Sequence, residues 1–278
     1  MKILILGSSG LIGNTIYSFL SSFREYTIYG SQRNNQTNNN IIKFDAQNIG
    51  ELESFLCDTK IDFIINCIGI TKHRKAIKNV PETILVNSIL PWKLLEFSKI
   101  FKFKLIQVST DCVFSGTDGD YSEKSLPNAF DIYGKSKALG EICNDKNCIT
   151  IRTSTIGHEI ENKYGLLEWF LSQKKCYGYS KAFFSGLPTI ILAQIIKKYL
   201  ISNKKLYGLY HIGSKKISKY NLLNKINKIY NAKIDLIFDD TIVINRSLNS
   251  DKFKLATGYK PFDWDYMINF MKEHNSSK

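Results

Sequence analysis

Seven residues near the amino terminus, Gly7-Ser8-Ser9-Gly10-Leu11-Ile12-Gly13, constrain the fold of this chain more than any other segment. A short apolar run, Lys2–Leu6, precedes them. Residues 11–23 follow with apolar side chains at Leu11, Ile12, Ile16, Phe19 and Leu20, the spacing of a helix with one buried face. A strand, a Gly-x-x-Gly-x-x-Gly turn and a helix in that order have a definite geometry. Gly7 permits a tight turn, Gly10 lets the backbone approach a pyrophosphate, and Gly13 lets the helix pack closely on the strand. The helix N-terminus then offers N–H groups and partial positive charge to the phosphates. The segment predicts a dinucleotide site built from Gly7, Ser9, Gly10, Leu11, Ile12 and Gly13; a plain strand-to-helix turn is the alternative.

The rest of the first half alternates short β-branched runs with amphipathic stretches. Strands are expected at 27–29, 41–44, 62–67, 105–109 and 149–152, and helices at 49–57 and across 80–101. The asparagine-rich stretch 34–40 reads as a solvated loop. Alternating βα units imply a parallel sheet covered on both faces. After about residue 157 the pattern is mixed, with helices near 165–172 and 189–202 and a strand at 208–212. The expected architecture is an α/β, doubly wound parallel-sheet Rossmann fold with a smaller, interleaved C-terminal substrate lobe. Residues 1–156 form the NAD(P)-binding part, with later sheet elements near 190–213, and residues 157–278 form mostly the substrate lobe.

An NAD site places an acid at the end of the second strand, on the ribose 2′-hydroxyl. This chain reads Tyr29-Gly30-Ser31-Gln32-Arg33 there and has no acid. Ser31 and Arg33 are candidates to hold a 2′-phosphate, so NADPH is favoured and NADH stays open. Asp45 ends the third strand, where the adenine is expected. Cys67, Ile68 and Gly69 end the fourth, near the cofactor's phosphates and ribose.

Tyr133 and Lys137 lie four residues apart in Tyr133-Gly134-Lys135-Ser136-Lys137, which puts both on one face of a helix. Asp131 is the expected N-cap. A tyrosine, with an unperturbed pKa of about 10, is a poor acid or base near neutrality, and a neighbouring ammonium favours its phenolate. The pair gains meaning from Ser109-Thr110-Asp111, which ends the preceding strand at the edge of the sheet where ligands of such folds bind.

Together the glycine run, the Tyr-x-x-x-Lys pair and Thr110 resemble an extended short-chain dehydrogenase/reductase. Three stretches are similar to the dTDP-4-dehydrorhamnose reductases: Ser109–Gly116, Tyr121-Ser122-Glu123, and Tyr133 through Glu141. Arg246-Ser247-Leu248-Asn249-Ser250 resembles their C-terminal Arg-Pro-x-Asn-Ser motif. The resemblance implies that Tyr133 donates a proton to the sugar oxygen as hydride arrives from the nicotinamide. It implies that Lys137 lowers the Tyr133 pKa and binds the nicotinamide ribose, and that Thr110 hydrogen-bonds the substrate carbonyl. Asn87 is expected in a helix-borne polar relay beside the cofactor. Asp111, Cys112, Val113, His158, Trp169 and Arg246 are the expected substrate contacts. Cys112 stands where the rhamnose reductases usually carry Tyr, and Ser247 replaces their Pro, so rhamnose as product does not follow.

The expected reaction is NADPH-dependent reduction of the 4-keto group of a nucleotide-linked 4-keto-6-deoxy sugar, in surface polysaccharide precursor synthesis. The rivals are a nucleotide-sugar epimerase or dehydratase with tightly bound NAD, and a non-catalytic regulatory subunit like that of methionine adenosyltransferase. Charge bears on the substrate. The net charge is +13, and between Trp169 and Ile234 there are thirteen Lys and no Asp, Glu or Arg. That stretch is either a solvated lysine surface or a lobe that attracts a nucleotide diphosphate. Nucleic acid is not expected, because no aromatics are interleaved as a stacking platform. The six cysteines have no Cys-x-x-Cys spacing, and His73, His158 and His211 lack paired ligand spacing, so no metal site is expected. The N-terminal apolar run stops at Gly7 and no segment is apolar enough to span a membrane. A cytoplasmic enzyme is expected, with a homodimer left open.

Overall fold

Strand β1 (Lys2–Leu6) is the centre of the molecule, with Ile3 to Leu6 fully buried. Its neighbours are β2 (Thr27–Gln32) on one side and β4 (Phe63–Asn66) on the other. With β3 (Ile41–Lys43), β5 (Lys104–Thr110), β6 (Cys148–Thr153) and β11 (Gly208–His211), they make a seven-stranded parallel sheet in the order β11-β6-β5-β4-β1-β2-β3. The computed structural model describes residues 1–33, 40–72, 75–159 and 165–276. Most of the loop expected at 34–40 lies outside these residues, as does His73.

The period of two along each strand sorts its side chains between two cores. Ile3, Ile5, Phe63, Ile65, Ile106 and Val108 join one cluster with Ile16 and Leu20 of helix α1 (Leu11–Ser21) and with helix α7 (Thr189–Ile195). Leu4, Leu6, Ile64 and Leu105 join the other, with Leu52 and Leu56 of α2 (Ile49–Asp58) and Leu90 and Leu94 of α4 (Leu90–Phe101). Helices thus cover both faces, as the strongly apolar strands predict.

The helix expected across 80–101 is interrupted. It runs as α3 (Val80–Ile84), a π-helical turn (Leu85–Ile89) and α4, with Pro91 in the first turn of α4. Proline has no N–H to give the preceding turn, which is one of the recognised causes of such a break. Residues after β6 add small sheets: β7 (Thr155–Ile156) with β10 (Leu187–Pro188), β9 (Ala182–Phe184) between β12 (Ile217–Ser218) and β14 (Ile244–Asn245), and β8 (Lys175–Tyr179) with β13 (Asp235–Asp239). Helices α5 (Ile132–Leu139), α6 (Leu166–Leu171), α8 (Lys219–Tyr230), α9 (Asp251–Thr257) and α10 (Trp264–Ser276) complete the fold. The short strands and the last three helices were not among the elements expected from the sequence. Among the described residues no helix is long and apolar enough to cross a membrane.

Candidate active site

The strand order reverses between β1 and β4, and a crevice opens at their carboxyl ends, the place where open α/β sheets bind ligands. Gly7 turns the chain out of β1 with φ +77, a conformation that favours glycine. A Cβ at Gly13 would run into the Gly7 carbonyl, so only glycine lets α1 pack this close. No side chain caps α1 at Gly10 and its first turn carries no acid. Gly10, Leu11 and Ile12 border the crevice, so the helix dipole faces it. This is a cradle that fits a dinucleotide pyrophosphate.

Ser31 is corrected by the structure. It is 1% exposed, its Oγ accepts from the Gly7 N–H at 3.1 Å, and its carbonyl accepts from Ser8. It props the glycine turn from beneath rather than facing a 2′-phosphate. Arg33 is exposed just beyond β2. The Asp45 carboxylate accepts from the Gln47 N–H at 3.0 Å, a turn that leads into α2.

A cleft of about 430 Å³ continues from the glycine turn across the ends of β4, β5 and β6. It is lined by Cys67, Ile68, Gly69, Thr110, Asp111, Cys112, Tyr133, Lys137 and Arg246, all expected from the sequence. Asp131 caps α5 as expected, accepting from Gly134 N–H at 2.8 Å, and this sets the start of the helix that carries Tyr133 and Lys137. Burial raises the Tyr133 pKa well above the ordinary phenol value, the Cys112 and Asp111 charges add to it, and a hydrogen bond with the Thr110 side chain works the other way. Tyr133 is therefore a neutral phenol near pH 7, ready to give a proton.

The role expected of Lys137 changes. Its ammonium donates to the Val108 carbonyl at 2.7 Å, beside Cys67 and Gly69, and is not a source of the Tyr133 shift. Burial lowers the Lys137 pKa to about 8, against the pull of Glu141. Glu141 is itself fixed: it accepts from Ser109 Oγ at 2.6 Å and forms a two-pronged ion pair with Arg152, both side chains being 3% exposed. Arg152 reaches His211 Nε2 at 3.2 Å, and His211 Nδ1 meets the Tyr121 carbonyl at 2.9 Å. The guanidinium can only donate, so His211 carries its proton on Nδ1.

A family model described as the RmlD substrate binding domain matches residues 1–238. The chain belongs to that family. It is 24% identical to the dTDP-4-dehydrorhamnose reductase of Aggregatibacter actinomycetemcomitans over 95% of each chain. It is 27% identical to methionine adenosyltransferase 2 subunit beta of Xenopus tropicalis over 58% of this chain and 48% of that protein. The crystal structure of dTDP-4-dehydrorhamnose reductase from Bacillus anthracis in complex with NADP superposes with a TM-score of 0.83 at 22% identity, covering 98% of this chain and 99% of that one. The Rossmann fold and the family expected from the sequence both stand, and the reductases among the relatives agree with an oxidoreductase.

This RmlD-family chain departs from the expected site at several places. Val113 is fully buried with Phe114, Tyr121 and Leu248, facing away from the cleft. His158 is tied to Glu168 at 2.6 Å and Tyr230 at 2.9 Å, a strut between α6 and α8. Trp169 sits on the outer side of α6, 39% exposed, and does not border the cleft. Asn87 lies in the π turn and does not border it either. Its amide donates to Ile70 O and Ser136 Oγ and accepts from Ile70 N, clamping the loop after β4 to α5. Each of these residues was expected as a ligand contact; His158 and Asn87 are held by protein partners instead, Val113 packs into a small core, and Trp169 faces outward.

Ser247, where the family motif has Pro, has a local reason. Its N–H and Oγ both donate to Asn245 Oδ1, and its Oγ accepts from Asp120 N–H at 2.9 Å. Proline cannot supply the N–H. Cleft residues not anticipated from the sequence include Lys72, Phe183, Phe184 and Lys219.

Proposed function

We propose that this protein is an NADPH-dependent reductase of the 4-keto group of a nucleotide-linked 4-keto-6-deoxy sugar. The observation that carries the reading is that Thr110, Tyr133 and Lys137 line the same cleft as the glycine turn. The first 156 residues hold the cofactor, with β11 added to the sheet, and residues 157–278 mostly hold the sugar nucleotide. Gly7, Ser9, Gly10, Leu11, Ile12 and Gly13 would hold the pyrophosphate of NADPH, Arg33 its 2′-phosphate and Asp45 the adenine side. Cys67, Ile68 and Gly69 would flank the ribose. When bound, this group supplies the hydride.

The protein's own residues supply the rest. Thr110 orients the sugar carbonyl toward the Tyr133 hydroxyl, and Tyr133 gives that oxygen a proton. The Lys137 ammonium, held by the Val108 carbonyl, would bind the nicotinamide ribose, and the Glu141 charge favours its protonated form. Such positioned proton transfer contributes about 10²–10⁴-fold. The setting is surface polysaccharide precursor synthesis, in the cytoplasm.

The test is NADPH oxidation by the purified protein against a panel of UDP-, dTDP- and GDP-linked 4-keto-6-deoxy sugars. Turnover with one of them and a clear preference over NADH is expected; no oxidation with any member overturns the reading. The subunit-beta relative favours a second reading, a non-catalytic partner of another enzyme. The retained Thr110, Tyr133 and Lys137 speak against it, and co-purification of an enzyme with an inert panel would support it.

A further inference from the structure

Lys219 is the first residue of α8, whose N-cap Ser218 accepts from the Asn221 N–H at 3.2 Å. A cation at this end of a helix opposes the dipole and costs stability. The side chain nevertheless turns inward to border the cleft, and its ammonium lies 4.1 Å from the centroid of the Phe184 ring. Among the described residues it has no carboxylate within salt-bridge distance and no hydrogen-bond acceptor. Lys219 is partly buried, and an ammonium held there without such a partner is costly unless a ligand completes it.

Two more cations border the same wall. Arg246 follows β14 and spends its Nε and one terminal nitrogen on the Phe114 and Ser115 carbonyls, at 2.9 and 3.3 Å. Its other nitrogen points toward the cleft thiol of Cys112 at 3.9 Å. Lys72 is exposed beyond β4 and acts on both Lys219 and Cys112. The acids facing them are Asp111, which is buried, and Glu159, whose Oε2 already accepts from the Gly165 N–H at 2.8 Å. Positive charge from three separate elements thus exceeds the acid it surrounds.

We propose that Lys219, with Arg246 and Lys72 beside it, grips the diphosphate of the nucleotide sugar and makes the site selective for phosphate-bearing substrates. This rests on the reductase reading for the sugar but not for the diphosphate. Burial lowers the Lys219 pKa to about 8, Asp111 and Cys112 raise it, and Lys72 lowers it further. The ammonium is present at neutral pH and is lost as pH rises past that value.

The test uses the full chain saturated with NADP⁺, so that the cofactor's own phosphate cradle is filled. Binding of inorganic pyrophosphate, UDP, dTDP and the phosphate-free nucleosides is measured by calorimetry. Pyrophosphate and at least one diphosphate should bind the wild type, and the nucleosides far more weakly. Lys219→Gln should weaken diphosphate binding about tenfold to a hundredfold, as loss of a charged hydrogen bond does. Lys219→Arg should restore most of it. NADPH affinity of the Gln variant should match the wild type and its thermal midpoint should be equal or higher, which excludes misfolding. Wild-type diphosphate affinity should fall as pH passes about 8 and the Gln variant should lack that fall. Equal diphosphate binding by wild type and Gln variant, or no binding of any probe to the wild type, overturns the proposal. A Lys219-dependent diphosphate site in a protein inert toward every keto sugar sinks the reductase reading and leaves the grip standing. Sugar turnover with KM unchanged in Lys219→Gln does the reverse.

Discussion

Burial holds the Tyr133 pKa above the ordinary phenol value, so the side chain reaches the reaction as a protonated phenol. A phenol that resists ionisation suits reduction, where it must arrive protonated. Tyr133→Phe is expected to lower kcat by at least about a hundredfold while the NADPH dissociation constant stays within about twofold of wild type; stopped-flow fluorescence separates the two. Full turnover by the variant would refute the assigned role. Arg33 is exposed just beyond β2, and the proposed reading puts the 2′-phosphate on it. Arg33→Ala should weaken NADPH about tenfold or more, the worth of a charge-assisted hydrogen bond, and leave NADH nearly unchanged. Equal weakening of both in a titration would remove the cofactor preference from this residue.

At the scale of elements, the π turn before α4 is what aims Asn87 at the loop after β4. Three hydrogen bonds from one buried amide hold Ile70 and Ser136 together, and through them α5 and the cofactor side of the cleft. Asn87→Ala leaves buried backbone groups of Ile70 without partners, at a cost of about 1–3 kcal/mol each before relaxation. A lower thermal midpoint is expected, together with a several-fold higher KM for NADPH and little change in kcat. A kcat loss with unchanged KM would assign Asn87 to the chemistry instead. α5 needs no such help at its start, where the Asp131 cap was legible in the sequence and lies where it was expected.

Across the whole molecule, the Glu141–Arg152–His211 network ties the end of α5 to β6 and β11, and through the Tyr121 carbonyl to the segment paired with Leu248. Arg152→Met would strand a buried carboxylate, an effect of about 3–5 kcal/mol, and Glu141→Gln in the same chain should return much of it. Chemical denaturation of the single and double variants measures both. His211 adds a pH dependence. Burial, then the Arg152 charge, lowers its pKa to about 3, below the unfolded value of about 6.5. The unfolded chain therefore takes up this proton first as pH falls. Stability from the neutral ring is full above about 6.5 and is lost progressively down to about 3. His211→Gln should flatten the dependence of the thermal midpoint on pH in that window; an unchanged slope would assign acid sensitivity elsewhere.

The sequence determined those features whose cause is local. The glycine run, the two-residue alternation that divides β1 between two cores, and the capped Tyr-x-x-x-Lys helix each depend on neighbours a few residues away, so period and spacing expose them. Tertiary structure alone decided which polar side chains face the cleft. Ser31 and His158 look like ligand contacts in sequence, yet Gly7 takes the first, and Glu168 and Tyr230 take the second. Lys219 is one of thirteen lysines in its stretch, with nothing in spacing to mark it. It stands apart because the fold carries the start of α8 to Asp111 and Arg246, residues far away in the chain. A side chain's partners are set by distance in space, and a periodic pattern in one dimension holds no record of them.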